Sequence, residues 1–121
     1  MRTLPLPLLL IAASALAGPS KIGDIVQAPA KFDGKTITTV GVVANFKAKT
    51  SKIGNKYFVF DLKEGSAFIS VYGRFEMKHN PNNGQKVQVS GKFEKEHKLK
   101  DFSVKNQVTV ADEKGVKILL K

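Results

Sequence analysis

Two runs of β-branched and aromatic residues, Lys56 to Leu62 and Ala67 to Tyr72, are separated by only Lys63-Glu64-Gly65-Ser66. A short glycine-containing connection between two such runs is the signature of an antiparallel hairpin. Thr50 to Asn55 leads into it as a turn. Side chains alternate across a strand, so Phe58, Phe60 and Leu62 share one face, and Tyr57, Val59 and Asp61 share the other. In the partner run Ile69 and Val71 form the aliphatic set, opposite Phe68, Ser70 and Tyr72. With the Phe/Leu/Ile/Val set in the core, the hairpin shows Tyr57, Phe68 and Tyr72 outward, with lysines at its entrance. An exposed aromatic face of this kind asks for a ligand or a covering segment.

The remaining chain supplies three more strands. Asp33-Gly34 is a strong turn signal, and Thr36 to Lys49 follows as a long β segment with Gly41 in its middle. A glycine inside a strand marks a bulge or sharp bend, as a small barrel requires where one strand serves both of its sheets. Gln85 to Glu94 alternates cleanly, with Val87 and Val89 on one face and Gly91 as another bend point. Phe102 to Ala111 alternates through Phe102, Val104, Asn106, Val108 and Val110. Between the third and fourth strands, Gly73 to Gly84 contains Asn80-Pro81-Asn82-Asn83-Gly84, which reads as a loop. Upstream, residues 18–35 read as a short helix, with Ser20 as its cap and Pro29 ending it or starting a second turn, followed by the turn. Residues 112–121 are a tail. Five strands of this size suit a Greek-key barrel, closed or nearly so, because closure removes exposed strand edges. The expected fold is therefore all-β, a five-stranded Greek-key barrel over residues 36–111 with a short N-terminal helix.

At 121 residues the chain makes one domain. Its first 17 residues stand apart: Arg2 is followed by an apolar run from Leu4 to Leu16 that closes on Ala15-Leu16-Ala17. This is the pattern of a secretory signal peptide cleaved after Ala17, and the run is too short to span a bilayer stably. The expected location is periplasmic or secreted. With no cysteine anywhere, disulfides, thiol catalysis and thiolate metal sites are excluded. Loss of Arg2 leaves 19 Lys and Arg against 10 Asp and Glu, a net charge of +9 on residues 18–121. Such a charge points to acidic partners: nucleic acid, anionic lipid or anionic polysaccharide.

The run Asp33-Gly34-Lys35-Thr36-Ile37 to Gly41-Val42-Val43, then Thr50-Ser51-Lys52-Ile53-Gly54-Asn55-Lys56-Tyr57 to Phe60-Asp61-Leu62, resembles the OB-fold nucleic-acid-binding families. Within them it is most similar to the tRNA-anticodon-binding type, whose D-G-K-x-V-x-V-x-G-x-V first strand leads to a T-x-K-G-N-x-Y-x-x-F-x-L-x-D second strand. The resemblance covers roughly Lys31 to Val110. One departure is that the usual helix between strands three and four is replaced by the loop Gly73–Gly84. A weaker resemblance is to small exported bacterial OB-fold proteins of the stress-associated envelope type. Those share a signal peptide followed by one bare domain, but lack the Ser-Lys-x-Gly-Asn loop.

The resemblance implies a ligand lying across strands two and three, clasped by the loops joining strands one to two and four to five. Mapped onto this chain, the platform is Tyr57, Val59, Phe68, Ser70 and Tyr72, with Arg74 just past it. The first loop brings Lys47, Lys49, Lys52, Asn55 and Lys56; the second brings Lys95, His97, Lys98 and Lys100. Rings stack on bases and lysines neutralise phosphates, a combination suited to single-stranded DNA or RNA with low sequence specificity. Lys47 and Lys49 alternate with Phe46 and Ala48, so both point to one side as a basic stripe. The bland alternatives are that the rings cover a neighbouring loop and that the 18 lysines are largely a solvated surface. Catalysis finds no constellation: His79 and His97 have no carboxylate or cysteine at triad or ligand spacing, and Gly54 and Gly65 are isolated turn glycines. His97, between Glu96 and Lys98, reads as an exposed residue, and Asp61 as a tie on the hairpin turn. The expectation is a binding module, not an enzyme, with no cofactor and no metal. Its alternative is an envelope or stress protein whose basic face meets anionic lipid, polysaccharide, another polyanion or a protein partner.

Overall fold

A computed structural model of the chain describes residues 19–120. The candidate signal peptide, residues 1–17, lies outside the described residues. Strand β1, Thr36–Thr50, divides its length between two partners. Thr36 to Val42 runs antiparallel to β4 (Lys86–Lys98), and Val42 to Thr50 runs antiparallel to β2 (Lys56–Glu64). Gly41 stands at the changeover. A Cβ on it would come within 2.7 Å of the Lys63 carbonyl oxygen and 2.9 Å of Leu62 Cγ. Only a residue without a side chain lets β1 turn across the barrel so closely. Gly91 does the same for β4, where a Cβ would lie 2.3 Å from the Thr109 carbonyl oxygen.

Strand β2 returns as β3 (Ala67–Gly73) through a two-residue turn in which Gly65 takes φ +61. That is the first central position, where a type II′ hairpin turn needs glycine. Strand β5 (Ser103–Val110) lies parallel to β3 and antiparallel to the second half of β4. The order β1-β2-β3-β5-β4, with β4 pairing back onto β1, closes the ring. This is the expected Greek-key OB-type barrel.

The core follows the expected alternation. Phe58, Phe60, Leu62, Ile69, Val71, Val87, Val89, Phe93 and Val108 are all removed from solvent. Helix α1 (Ile22–Gln27) is too short to be stable in isolation; it holds its place by burying Ile22 and Ile25 completely. It sits at the end of the barrel near the β2–β3 turn, where the Gly23 amide donates to Glu64 Oε1 at 3.5 Å. Pro29 opens a second helical turn, α2 (Pro29–Phe32). Ser20 is not the cap of α1: the N-cap is Lys21, without a side-chain hydrogen bond. Ser20 instead donates its amide to Thr38 O at 2.8 Å and accepts from the buried Thr39 hydroxyl at 2.6 Å. At the other end, residues 74–85 form a loop, as its Asn/Pro content requires. Phe75 packs edge-on against Phe58 at 5.2 Å, and Met77 and Pro81 of the same loop are buried.

The segment read as a tail is structured. Asp112 caps a single 3-10 turn, Glu113–Gly115, by accepting from the Lys114 amide at 3.0 Å. Val116–Leu120 then forms a sixth strand, β6, antiparallel to the first part of β4. Val116 and Ile118 pack against the core, while Leu119 is exposed.

Candidate functional site

Two asparagines decide what the outer face of the barrel carries. Asn45 adopts φ +55 and Asn106 φ +54, and no other non-glycine residue among those described has a positive φ. Asn tolerates this left-handed region better than other side chains. At Asn45 the β1–β2 ladder slips: Ala44 pairs with Asp61 and Lys47 pairs with Val59, so two residues of β1 oppose one of β2. The extra residue resets the alternation. Phe46 turns inward, stacking near Phe58 at 6.1 Å and Phe60 at 5.8 Å, while Lys47 and Lys49 come onto the face of Val59 and Tyr57. Asn45 Nδ2 donates to Asp61 Oδ2 at 2.8 Å, so Asp61 ties the bulge and not the hairpin turn.

At Asn106 a left-handed residue turns β5 without an extra residue, since the β4–β5 register runs on unbroken from Thr109 to Ser103. Val108 and Val110 face the core, but Phe102 and Val104 line the outer face. The uninterrupted alternation expected from Phe102 to Val110 is thus broken by one left-handed residue. Strand β4 changes phase opposite it, which brings Glu94 and His97 to the same side, with His97 Nδ1 3.0 Å from Glu94 Oε1. His97 is therefore half-buried and partnered, not simply exposed. The Lys95 amide is taken by Asp33 Oδ1 at 2.9 Å.

The result is an open groove of about 1360 Å³ crossing β2, β3, β5 and β4. It exceeds the ~300–1,000 Å³ of ordinary small-molecule sites and suits an extended ligand. Tyr57 and Tyr72 stand side by side in it, ring centroids 6.0 Å apart and planes inclined at 45°. Val59, Ser70, Arg74, Lys52, Asn55, Lys56 and His97 line it as well. Its four cations, Lys52, Lys56, Arg74 and Lys92, outnumber its two carboxylates, Glu94 and Asp112.

Several expected site residues stand elsewhere. Phe68 is 52% exposed but pairs with Lys63 near the hairpin turn. It is four residues from Tyr72 along β3, about 13 Å at ~3.3 Å per residue, and does not line the groove. Lys98 and Lys100 do not line it either; Lys98 alternates with His97, which does. Lys47 and Lys49 flank the groove from β1 without lining it. Conversely, Ile53, Leu99 and Phe102 line it and are 84%, 43% and 63% exposed. Ile53 lies on the β1–β2 loop and the other two on the β4–β5 loop, which Leu99 and Phe102 close with a backbone hydrogen bond of 2.7 Å. Ile53 and Leu99 are isolated apolar residues in polar loops and carry little periodic signal, whereas Phe102 carries the phase of the fifth strand's alternation and so reads as part of its inward set. Among the described residues no helix is long and apolar enough to cross a membrane, and no three His, Asp or Glu side chains converge on a metal-sized site.

No known family model matches the chain, and no curated protein sequence does. The fold has solved counterparts. One is described as the crystal structure of yeast Stn1 and Ten1; it superposes with a TM-score of 0.54 at 13% identity, covering 93% of this chain and 69% of that one. At that identity the likeness concerns the fold alone, and it accords with an OB-type barrel.

Proposed function

We propose that the protein binds single-stranded nucleic acid along the groove across β2, β3, β5 and β4. The observation that carries this reading is the Tyr57–Tyr72 pair set among Lys52, Lys56, Arg74 and Lys92. A base stacked on an aromatic ring gains about 1–3 kcal/mol whatever its identity, and cations beside the ring neutralise the adjoining phosphates. Lys47 and Lys49, brought outward by the Asn45 bulge, extend the positive flank. The protein acts by binding, without a reaction of its own. It works outside the cytoplasm, after removal of residues 1–17, a reading that rests on the sequence Ala15-Leu16-Ala17. Mass spectrometry of the protein from cell fractions tests this last point: a periplasmic or secreted chain starting at Gly18 is expected, and a cytoplasmic chain retaining Met1 or Arg2 overturns it.

The binding experiment is a titration with a labelled mixed-sequence oligonucleotide, with duplex DNA and heparin as competitors. Tighter binding of the single strand than of either competitor is expected. Tyr57→Ala and Tyr72→Ala each weaken it by roughly tenfold, the equivalent of one stacked base. Binding that ranks the three ligands by charge density alone would instead mark a general polyanion surface, of use in meeting lipid or polysaccharide.

A further inference from the structure

The barrel has a second concavity, adjoining the groove at Lys56 and Tyr57. It holds about 100 Å³, the liquid volume of roughly three waters. One ring fits there, but not a length of chain. Lys56 and Tyr57 line both this cavity and the groove, so a strand resting on Tyr57 passes its mouth. Phe58 and Met77, both buried, and the half-buried Phe75 give it an apolar floor. The exposed residues Glu76 and Asn80 stand at its wall.

Lys49 and Lys56 also line the cavity and outnumber Glu76, so charge alone does not bar an anion. The apolar floor does, because it would strip a phosphate of its hydration without replacing it. A neutral planar ring avoids that penalty. We propose that the cavity takes one nucleobase of the bound strand and favours a base bearing an exocyclic amino group. The base would lie on Phe75 and Met77 with its polar edge toward Glu76 and Asn80. An ionised carboxylate only accepts hydrogen bonds, whereas the Asn amide both donates and accepts. Cytosine offers its N4 amino group to such an acceptor, while thymine presents the O4 acceptor at the same position. Glu76 therefore sets the preference, and Asn80 serves either base. This inference rests on the groove being a single-strand interface, and it adds one selective position to an otherwise sequence-tolerant surface.

The test is fluorescence anisotropy of the purified protein with labelled oligo-dC and oligo-dT of equal length. Oligo-dC is expected to bind tighter by about fivefold or more, the lower range for one well-placed base contact. In Glu76→Ala that ratio falls to about one while oligo-dT binding is not reduced, since a repulsive charge has gone. Asn80→Ala weakens both ligands and leaves the ratio in place. Equal affinity for both ligands in the unaltered protein overturns the inference but leaves the groove reading standing. A ratio that survives Glu76→Ala also overturns it. Binding of neither oligonucleotide overturns the groove reading and this inference together.

Discussion

Asn45 and Asn106 are single residues that redirect whole faces. Each adopts a left-handed backbone in mid-sheet, and each moves the next alternating set of side chains to the opposite side. At Asn45 the gain is Lys47 and Lys49 outward with Phe46 inward; at Asn106 it is Phe102 and Val104 outward with Val108 inward. Replacing Asn106 by Val forces a β-branched side chain into this region and costs about 1–2 kcal/mol. Asn106→Gly keeps the geometry, so urea denaturation should show it within about 0.5 kcal/mol of the unaltered protein. The glycines give a second contrast. Gly91→Ala places a methyl group against the Thr109 carbonyl and is expected to lower stability by about 1–3 kcal/mol. Gly23→Ala, with nothing within 4 Å of the new methyl, removes unfolded-state freedom and raises stability by up to about 1 kcal/mol. The bends at Gly41 and Gly91 were legible in the sequence because glycine inside a strand has few other uses. The turns at Asn45 and Asn106 were not, because asparagine is equally at home in loops, caps and polar strand faces.

At the scale of elements, the β2–β3 hairpin was the most readable part. Its alternation, turn and inward set all follow from a period-2 pattern bounded by a glycine turn. Strand β6 was not readable: Val116 to Leu120 is a short apolar run after a lone 3-10 turn, and periodicity alone does not separate such a strand from a helical turn. Its contribution is measurable. Truncation after Gly115 removes Val116 and Ile118 from the core and uncovers the β4 backbone at Val87 and Val89. A loss of about 3 kcal/mol is expected, on the scale of one to two buried aliphatic side chains, visible as a shifted urea midpoint; an unchanged midpoint would make β6 an appendage. The β4–β5 loop behaves differently. Phe102 is 63% exposed, so Phe102→Ala leaves stability unaltered while weakening oligonucleotide binding several-fold, if its ring meets a base like those of Tyr57 and Tyr72. The site was therefore legible at Tyr57, Val59, Ser70 and Tyr72 on the hairpin and at Lys52 and Asn55 in the β1–β2 loop, and obscure at isolated apolar residues such as Ile53 and Leu99.

For the whole molecule, charge distribution matters more than total charge. The chain carries a net +10, but only Lys52, Lys56, Arg74 and Lys92 line the groove, with Lys47 and Lys49 on its flank. At ~0.7 per phosphate neutralised, a logarithmic plot of binding constant against salt has a slope of about −3 if the four groove cations act alone and about −4 if Lys47 and Lys49 act with them. A slope much steeper would mean that the remaining lysines bind phosphate as well.

The ring closes only when β1 meets β4, with Thr38 and Ser90 hydroxyls 2.9 Å apart across 52 residues of chain. The parallel contact of β3 with β5 is likewise nonlocal. Closing such loops consumes entropy before any core forms, so topologies of this kind fold in milliseconds to seconds, not microseconds. The β2–β3 hairpin can flicker early, yet its inner face has nothing to bury against until the last strands arrive. A chain that stays open that long remains threadable, the state that the export proposed above would require of it.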